Sequence, residues 1–188
     1  MTDLPACLVT DRLTLLPISV DDAEALHAAL FESMTVLMPW LAWASPESTL
    51  QERRDFCRQA ECALHDRTGV TYALWLAGDQ VPNRLAGVMD VQDIDWQVPA
   101  GTLGYWCHRA FQGQWLITEA LQALSHALLV EYGFQRLALT CDERNLASCR
   151  VAERSGYRLE GIRRHDCRDH FGELRNTCCY ARLRGDEG

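Results

Sequence analysis

Short stretches in which apolar and polar residues alternate, or apolar residues run together, indicate β-strands along the chain. The predicted strands span residues 12–18, 71–77, 85–91, 102–108, 136–141, 157–163 and 177–183. The three strands between residues 71 and 108 follow one another with polar connections, so they predict an antiparallel meander.

A longer apolar period indicates helices. Apolar residues recur at helical spacing between residues 115 and 132, which is typical of an amphipathic helix. They are Ile117, Leu121, Leu124 and Leu128. Capping residues and glycine stops indicate three more helices. These span residues 19–31, 49–65 and 145–155.

The predicted order of elements is βααβββαβαββ. It corresponds to an α/β (α+β) fold with a mixed, mostly antiparallel central sheet flanked by helices. Residues 102–141 form a strand–helix–strand crossover. Ligands of open α/β sheets bind beyond the strand ends at such a crossover, where the N–H groups at the start of the next helix face them. The functional site is therefore expected there.

The composition is that of one globular domain. The 188 residues are 48% hydrophobic and 23% charged, and a chain of this length can bury one core, so we predict a single domain over residues 1–188. No apolar run approaches the roughly 20 residues that cross a bilayer, and residues 1–11 lack the features of an export signal. We expect a cytoplasmic protein without a membrane partner.

The charge narrows the choice of ligand. The 18 Lys and Arg residues against 26 Asp and Glu residues give a net charge of −8. Binding to nucleic-acid phosphates needs a basic face, so we expect no nucleic-acid partner. A cationic substrate that carries an amine suits this charge better.

The cysteines favour reduced thiols over disulfides. There are 9 of them, an odd number, and Cys107, Cys141 and Cys149 lie within apolar stretches. A zinc site is the alternative interpretation, carried by residues close in sequence. They are His165, Cys167, His170, Cys178 and Cys179. None shows the paired C-x-x-C spacing of a zinc ligand set, so we expect no metal.

One segment resembles a known family. Gly104-Tyr-Trp-Cys-His-Arg-Ala-Phe-Gln-Gly-Gln-Trp-Leu-Ile-Thr-Glu-Ala120 resembles the GNAT superfamily of N-acetyltransferases, within it the ribosomal-protein N-terminal (RimJ/RimL-like) branch. Further matches extend the likeness over most of the chain, at residues 10–15, 39–41, 87–95, 145–148 and 155–161. Together these motifs are specific, whereas any one alone would be weak. The resemblance implies the acyl-CoA N-acyltransferase (GNAT) fold and acetyl-CoA as cosubstrate.

The resemblance also implies where acetyl-CoA binds. In the family, the strand equivalent to residues 105–108 splays from its neighbour, and its free main-chain groups pair with the pantetheine amides. The loop that begins at Gln112 and Gly113 wraps the pyrophosphate with backbone N–H groups. The residues implied to bind the cosubstrate are Trp106, Cys107, His108, Gln112, Gly113, Gln114, Trp115, Leu116, Ile117, Thr118, Asn145 and Ser148.

Trp115 departs from the family pattern, which has glycine at this position because the phosphates approach the main chain closely. The indole either packs beneath the loop and leaves the amides usable, or fills the pyrophosphate site. The first interpretation predicts an active acetyltransferase. The second predicts a non-catalytic GNAT-fold binding module.

The resemblance nominates residues for the chemistry. The Cys107 N–H is the candidate donor to the thioester oxyanion. Many relatives have a tyrosine, which protonates the leaving thiolate, where this chain has Ala152, so the resemblance nominates Ser148 one turn earlier. Asn145 is expected to contact the pantetheine arm, or to cap its helix. Asp166 is the nominated base.

The sequence leaves open which residue is the general base and which amine is the acceptor. Asp90, Asp93, Asp95 and His165 are further candidates for the base. An α-amine has a pKa near 8 and needs less help than a lysine side chain at about 10.4. We therefore expect a protein or peptide N-terminal amine as the acceptor. We expect it to attack directly in a ternary complex, because nothing in the sequence beside Cys107 or Cys149 would lower a thiol pKa for an acyl-cysteine route. A small-molecule amine, such as an antibiotic, is the alternative acceptor, and a homodimer is compatible with the sequence.

Overall fold

The computed structural model describes residues 4–77, 84–169 and 171–186. Within this part of the chain, the strands form one sheet in the order β1-β2-β3-β4-β5-β6-β8-β7. The strands are β1 (Leu8–Val9), β2 (Leu13–Pro17), β3 (Val70–Leu76), β4 (Leu85–Asp95), β5 (Ala100–Cys107), β6 (Arg136–Asp142), β7 (Arg158–Arg168) and β8 (Leu174–Leu183). Neighbours are antiparallel except β5 and β6, which are parallel.

The helices are α1 (Ala23–Leu37), α2 (Leu50–His65), α3 (Leu116–His126) and α4 (Leu146–Arg154). α2 begins at a capping box, because the Thr49 hydroxyl accepts from the Glu52 N–H at 3.2 Å and the Glu52 carboxylate accepts from the Thr49 N–H at 2.6 Å. α3 continues into one π-turn at Ala127–Glu131. None of the helices in the described ranges is long and apolar enough to span a bilayer.

The helices cover opposite faces of the sheet. Successive strand residues point to opposite faces, and along β4 Val88 packs with the cluster from α1 and α2, whereas Met89 packs with the cluster from α3. Leu121 and Leu124, which belong to the predicted apolar stripe, are fully buried in the α3 cluster. The sheet therefore lies between two apolar layers.

The predicted fold class is confirmed, and the order of elements needs one addition. β1 was not predicted, because a strand of two residues has no period and is defined only by the pairing of Leu8 with Leu15 and of Val9 with Thr14. β7 runs to Arg168, beyond the predicted end at residue 163. Its residues are almost all exposed, so they show no apolar alternation.

The parallel pair separates partway along its length. β5 pairs with β6 only over residues 100–103, which face residues 136–139. Beyond that point residues 104–107 pair with β4 alone and residues 140–142 pair with β8 alone. A gap therefore opens between β5 and β6 at the predicted crossover.

Candidate active site

A cavity of about 620 Å³ lies beside the separated end of β5. Its walls come from the end of α1 and the loop that follows it, from β5, from the loop into α3 and from α4. All predicted cosubstrate residues except His108 and Gln114 line it. Trp40, in the loop after α1, lines the cavity, whereas Trp43 lines a separate pocket beside α1.

The main chain of β5 directs N–H and C=O groups into the gap, where the Cys107 carbonyl accepts from the Gln112 carboxamide at 3.5 Å. The His108 N–H donates to the Ala86 carbonyl of β4 at 2.8 Å. Because the hydrogen-bonding direction alternates along a strand, the N–H and C=O groups of Cys107 and Tyr105 point the other way, into the gap. This edge can pair with an extended amide chain as a further strand would.

The loop before α3 and the first residues of the helix line the cavity. Gly113 and Trp115 both have left-handed backbones, with φ of 74° and 67°. The first helical hydrogen bond of α3 runs from the Glu119 N–H to the Trp115 carbonyl at 3.0 Å, so the N–H groups of residues 116–118 precede the intrahelical ladder. Amides at a helix start, preceded by left-handed turns, form a site for a phosphate group.

Trp115 does not pack beneath this loop, contrary to the first of the two interpretations of its role. Its side chain is 56% exposed, and the Arg154 guanidinium lies 3.9 Å from the centre of its ring. A non-glycine residue in the left-handed region destabilises the fold by about 1–2 kcal/mol. An exposed cation–π contact offsets about 0.5–1 kcal/mol of this cost. The indole therefore lies along α4 instead of under the amides.

Two arginines of α4 were missed by the sequence analysis. Arg150 and Arg154 line the cavity, and they are spaced i, i+4, which places both on one helix face. The sequence could have indicated them, because two arginines at this spacing lie on the same short helix as the nominated Ser148. Their charge suits the phosphates of the cosubstrate.

Ser148 and Asn145 occupy the start of α4. The Asn145 carboxamide accepts from the Ser148 N–H at 3.1 Å, which is the expected capping bond. Both residues also line the cavity. Ala152 is fully buried, so the position of the family's tyrosine faces the core.

Tyr105 is a further residue that the sequence analysis missed. Its hydroxyl lies 2.9 Å from the Ser148 hydroxyl, and it lines the cavity. Side chains two positions apart in a strand project from the same face, so Tyr105 shares the face of Cys107 in β5. This alternation could have indicated Tyr105 from the sequence. Burial raises the pKa of the Tyr105 phenol above its ordinary value, so this hydroxyl is protonated.

The thiols around the cavity are neutral. Burial raises the pKa of Cys107 to about 12. Burial, followed by the contact with Cys149 at 3.5 Å between the sulfurs, raises the pKa of Cys141 to about 12. A nucleophilic thiol needs a lowered pKa. Cys107 and Cys141 therefore do not have the character of acyl acceptors.

His108 and Gln114 shape the loop from outside the cavity. His108 is buried, its Nδ1 accepts from the Ala110 N–H at 3.1 Å, and its Nε2 lies 3.2 Å from the Glu32 carboxylate. The Gln114 carboxamide donates to the Ala110 carbonyl at 3.0 Å. Both side chains thus hold the turn between β5 and α3.

The nominated base lies away from the cavity. Asp166 is on β7, where its carboxylate accepts from the Thr177 hydroxyl at 2.8 Å and lies 3.3 Å from the Arg163 guanidinium. The Thr177 hydrogen bond, with help from Arg163, holds the pKa of Asp166 below its ordinary value. A carboxylate of this kind binds a proton weakly. Its role as base stays a prediction.

Asp90 has the opposite environment. Burial raises the pKa of its carboxyl group, and its Oδ1 finds no hydrogen-bond partner among the described residues. A Cβ at Gly104 would come within 2.7 Å of that oxygen, so the glycine makes room for the carboxyl group. Asp90 does not line the cavity.

The zinc alternative gains no support. Over the described ranges, no group of three or more His, Cys, Asp or Glu side chains is placed to hold a metal ion. His165 and Cys167 lie on β7, and Cys178 and Cys179 lie on β8. His170 lies outside the described residues.

An ion pair anchors the loop to the sheet. The Arg12 guanidinium lies 2.6 Å from the Glu119 carboxylate and donates to the Gln114 carbonyl at 2.9 Å. The Thr10 hydroxyl donates to the same carboxylate. Partial burial raises the pKa of Glu119, but the hydrogen bonds from Thr10 and Arg12 outweigh it and hold the pKa below the ordinary value.

We expect Glu119→Gln to lower the free energy of unfolding by about 1 kcal/mol at pH 7, because it removes a partly exposed charged pair. A carboxylate with a depressed pKa stabilises the fold above its unfolded pKa and loses this effect as the pH falls through the folded value. The difference from wild type should therefore shrink below about pH 4. Urea denaturation across this range measures it. Glu47→Gln, in an exposed loop, is the charge-matched control; an equal loss there would contradict the anchoring role.

Comparison with known proteins is consistent with this geometry. Residues 12–158 match the family model described as an acetyltransferase (GNAT) domain. The ribosomal-protein-serine acetyltransferase of Escherichia coli (strain K12) is 28% identical over 153 residues, covering 81% of this chain and 83% of that protein.

Solved structures share the fold. RimL, a ribosomal L7/L12 alpha-N-protein acetyltransferase in complex with coenzyme A, superposes with a TM-score of 0.87 at 24% identity, covering 96% of this chain and 98% of that one. The microcin C7 self-immunity acetyltransferase MccE, in complex with acetyl-CoA and AMP, gives a TM-score of 0.84 at 22% identity, covering 97% and 98%.

Proposed function

Because the chain belongs to the GNAT family and is an acetyl-CoA-dependent N-acetyltransferase, we propose that its acceptor is the α-amine of a protein or peptide, attacked directly in a ternary complex. One observation carries this proposal. Among the described residues that line the cavity there is no carboxylate and no imidazole. An acceptor must therefore arrive largely neutral.

The acceptor's own pKa then decides which amines react. At pH 7.5 roughly a third of an α-amine with a pKa near 7.8 is neutral, against roughly 0.1% of a lysine side chain at 10.4. This ratio favours an N-terminal amine by about two orders of magnitude without any base. Asp90, whose pKa is raised by burial, lies outside the cavity lining, so its part would be to take a proton, through water, from an acceptor that arrives in its ammonium form.

The residues of the cavity fit acetyl-CoA. The gap-facing amides and carbonyls of β5 would hold the pantetheine arm. The N–H groups at the start of α3 would hold the pyrophosphate, with Arg150 and Arg154 adding charge. The Trp115 indole stacks on Arg154 of α4 although it lines the cavity, and in this proposal that stacking leaves the amides usable, as a catalytic protein requires.

The residues nearest the thioester have distinct roles in this proposal. The cosubstrate supplies the acetyl group. The Cys107 N–H stabilises the negative charge that develops on the carbonyl oxygen, and the Ser148 hydroxyl faces the departing sulfur. The raised pKa of the Cys107 thiol, to about 12, favours direct attack over an acyl-cysteine.

Two peptides of matched sequence test the acceptor. One has a free N-terminus and no lysine; the other is blocked at the N-terminus and carries one lysine. We expect acetylation of the first to be at least tenfold faster, as measured by mass spectrometry at pH 7.5 with acetyl-CoA. Preferential modification of the lysine would contradict the proposal. Acetylation of an aminoglycoside amine, with neither peptide modified, would support the small-molecule alternative instead.

A further inference from the structure

Two hydroxyl groups meet where β5 faces α4. The Tyr105 Oη lies 2.9 Å from the Ser148 Oγ and 3.2 Å from the Ser148 carbonyl oxygen. The two residues are 43 positions apart in the sequence, and both line the cavity. The cap of α4 is supplied by Asn145, so the helix start does not depend on this contact.

The contact has two possible hydrogen arrangements. The phenol is protonated, so each hydroxyl has one hydrogen to donate. In the first arrangement Tyr105 donates to the Ser148 Oγ, and the serine hydrogen is free to point into the cavity. In the second, Tyr105 donates to the Ser148 carbonyl, and the serine donates back to Tyr105, away from the cavity. Only the first prepares Ser148 as a donor.

We propose that Tyr105 is a positioning residue that donates to the Ser148 Oγ and so directs the serine hydrogen at the leaving sulfur. The proposal rests on the role of Ser148 given above. Two hydroxyls linked in this way polarise each other in a site of low dielectric, so the Ser148 hydroxyl, at the end of the chain, becomes a better hydrogen-bond donor. Tyr105 itself keeps its proton.

In the proposed acetyl transfer, the proton that ends on sulfur is replaced by one from the amine. The amine nitrogen bonds to the acetyl carbon, and the C–S bond breaks with its electron pair moving to sulfur. Ser148 gives its proton to the sulfur and takes back the proton that the nitrogen loses, so amide and thiol are formed and the protein is unchanged. Without Tyr105 the serine hydroxyl can rotate away, and this transfer slows.

The neighbouring thiol does not replace Tyr105. Cys141 lies next to Ser148 as well, but burial raises its pKa to about 12. A neutral thiol is a weak hydrogen-bond donor. Among the described residues that line the cavity, Tyr105 is the side chain whose hydroxyl contacts the Ser148 hydroxyl.

The chain contains a matched control pair. The Tyr157 Oη lies 2.8 Å from the Ser125 Oγ, both residues are buried, and neither lines the cavity. Burial raises the pKa of the Tyr157 phenol as it does that of Tyr105. Tyr157→Phe therefore removes the same chemical group from a similar environment outside the cavity lining.

The test compares Tyr105→Phe with Tyr157→Phe in single-turnover assays. We expect Tyr105→Phe to lower the rate constant of acetyl transfer about tenfold and to leave the KM for acetyl-CoA within about twofold. Tyr157→Phe should lower the melting temperature and leave the rate constant unchanged. In a Ser148→Ala background, Tyr105→Phe should cause no further loss, because it acts only through the serine.

Two results would overturn this inference: a wild-type rate constant for Tyr105→Phe, or a loss that adds fully to that of Ser148→Ala. This inference does not depend on which amine is the acceptor, because the leaving group is the CoA thiolate for every amine. Activity with an aminoglycoside but not with the peptide would contradict the proposed acceptor, and the comparison of variants would still hold. A wild-type protein that acetylates neither would overturn both.

Discussion

Replacing Cys107 with proline is expected to lower kcat for acetyl transfer by about 100-fold or more, the usual effect of losing one oxyanion donor. Proline removes the N–H that faces the gap. The pairing with β4 is kept, because it runs through His108 and, by alternation, through Trp106. Steady-state kinetics with the free-amine peptide measure the effect.

Cys107→Ala is the control for this experiment, because it removes the thiol and keeps the N–H. We expect its kcat to stay within about threefold of wild type, since a thiol with a pKa of about 12 takes no part in the transfer. Circular dichroism and the melting temperature establish that both variants are folded. Equal losses in the two variants would assign the effect to the side chain and reject the backbone donor.

Ser148→Ala is expected to lower kcat by an order of magnitude or more with little change in acetyl-CoA affinity. A proton donor to the leaving group contributes about 10²–10⁴-fold, and water entering the vacated space restores part of it. The helix cap survives, because the Asn145 side chain bonds the main-chain N–H of residue 148. Calorimetric titration with acetyl-CoA separates binding from chemistry.

The matched control is Ser125→Ala, which removes the buried hydroxyl that contacts Tyr157. We expect it to reduce stability and to leave kcat unchanged. An unchanged kcat in Ser148→Ala would remove this serine from the mechanism. A large rise in the dissociation constant for acetyl-CoA would instead assign Ser148 to binding.

Much of the fold was predictable because it depends on local patterns. The period of the apolar residues gave α3 and the central strands, and Thr49 with Glu52 marked the start of α2. β1 and the outer part of β7 escaped detection for one physical reason. They are held by pairing with neighbouring strands, and pairing leaves no period in a short or fully exposed strand.

The site was predictable in its backbone and less so in its side chains. The gap and the loop follow from the order of elements, so the segments that line the cavity could be named in advance. The contact between Tyr105 and Ser148 joins residues 43 positions apart, and it depends on how α4 packs against β5. A period indicates the face from which a side chain projects, but it does not identify the partner across that face.

The left-handed backbone at Trp115 has a consequence for how such loops evolve. What the loop requires at this position is a dihedral angle, and glycine is the residue that adopts it at least cost. An arginine at position 154 offers an aromatic side chain a surface to stack on, so the order of the two substitutions matters. Tryptophan is better tolerated once the arginine is present. A tryptophan at a glycine position of such a loop is therefore most compatible with the fold where an arginine of the neighbouring helix can stack on it.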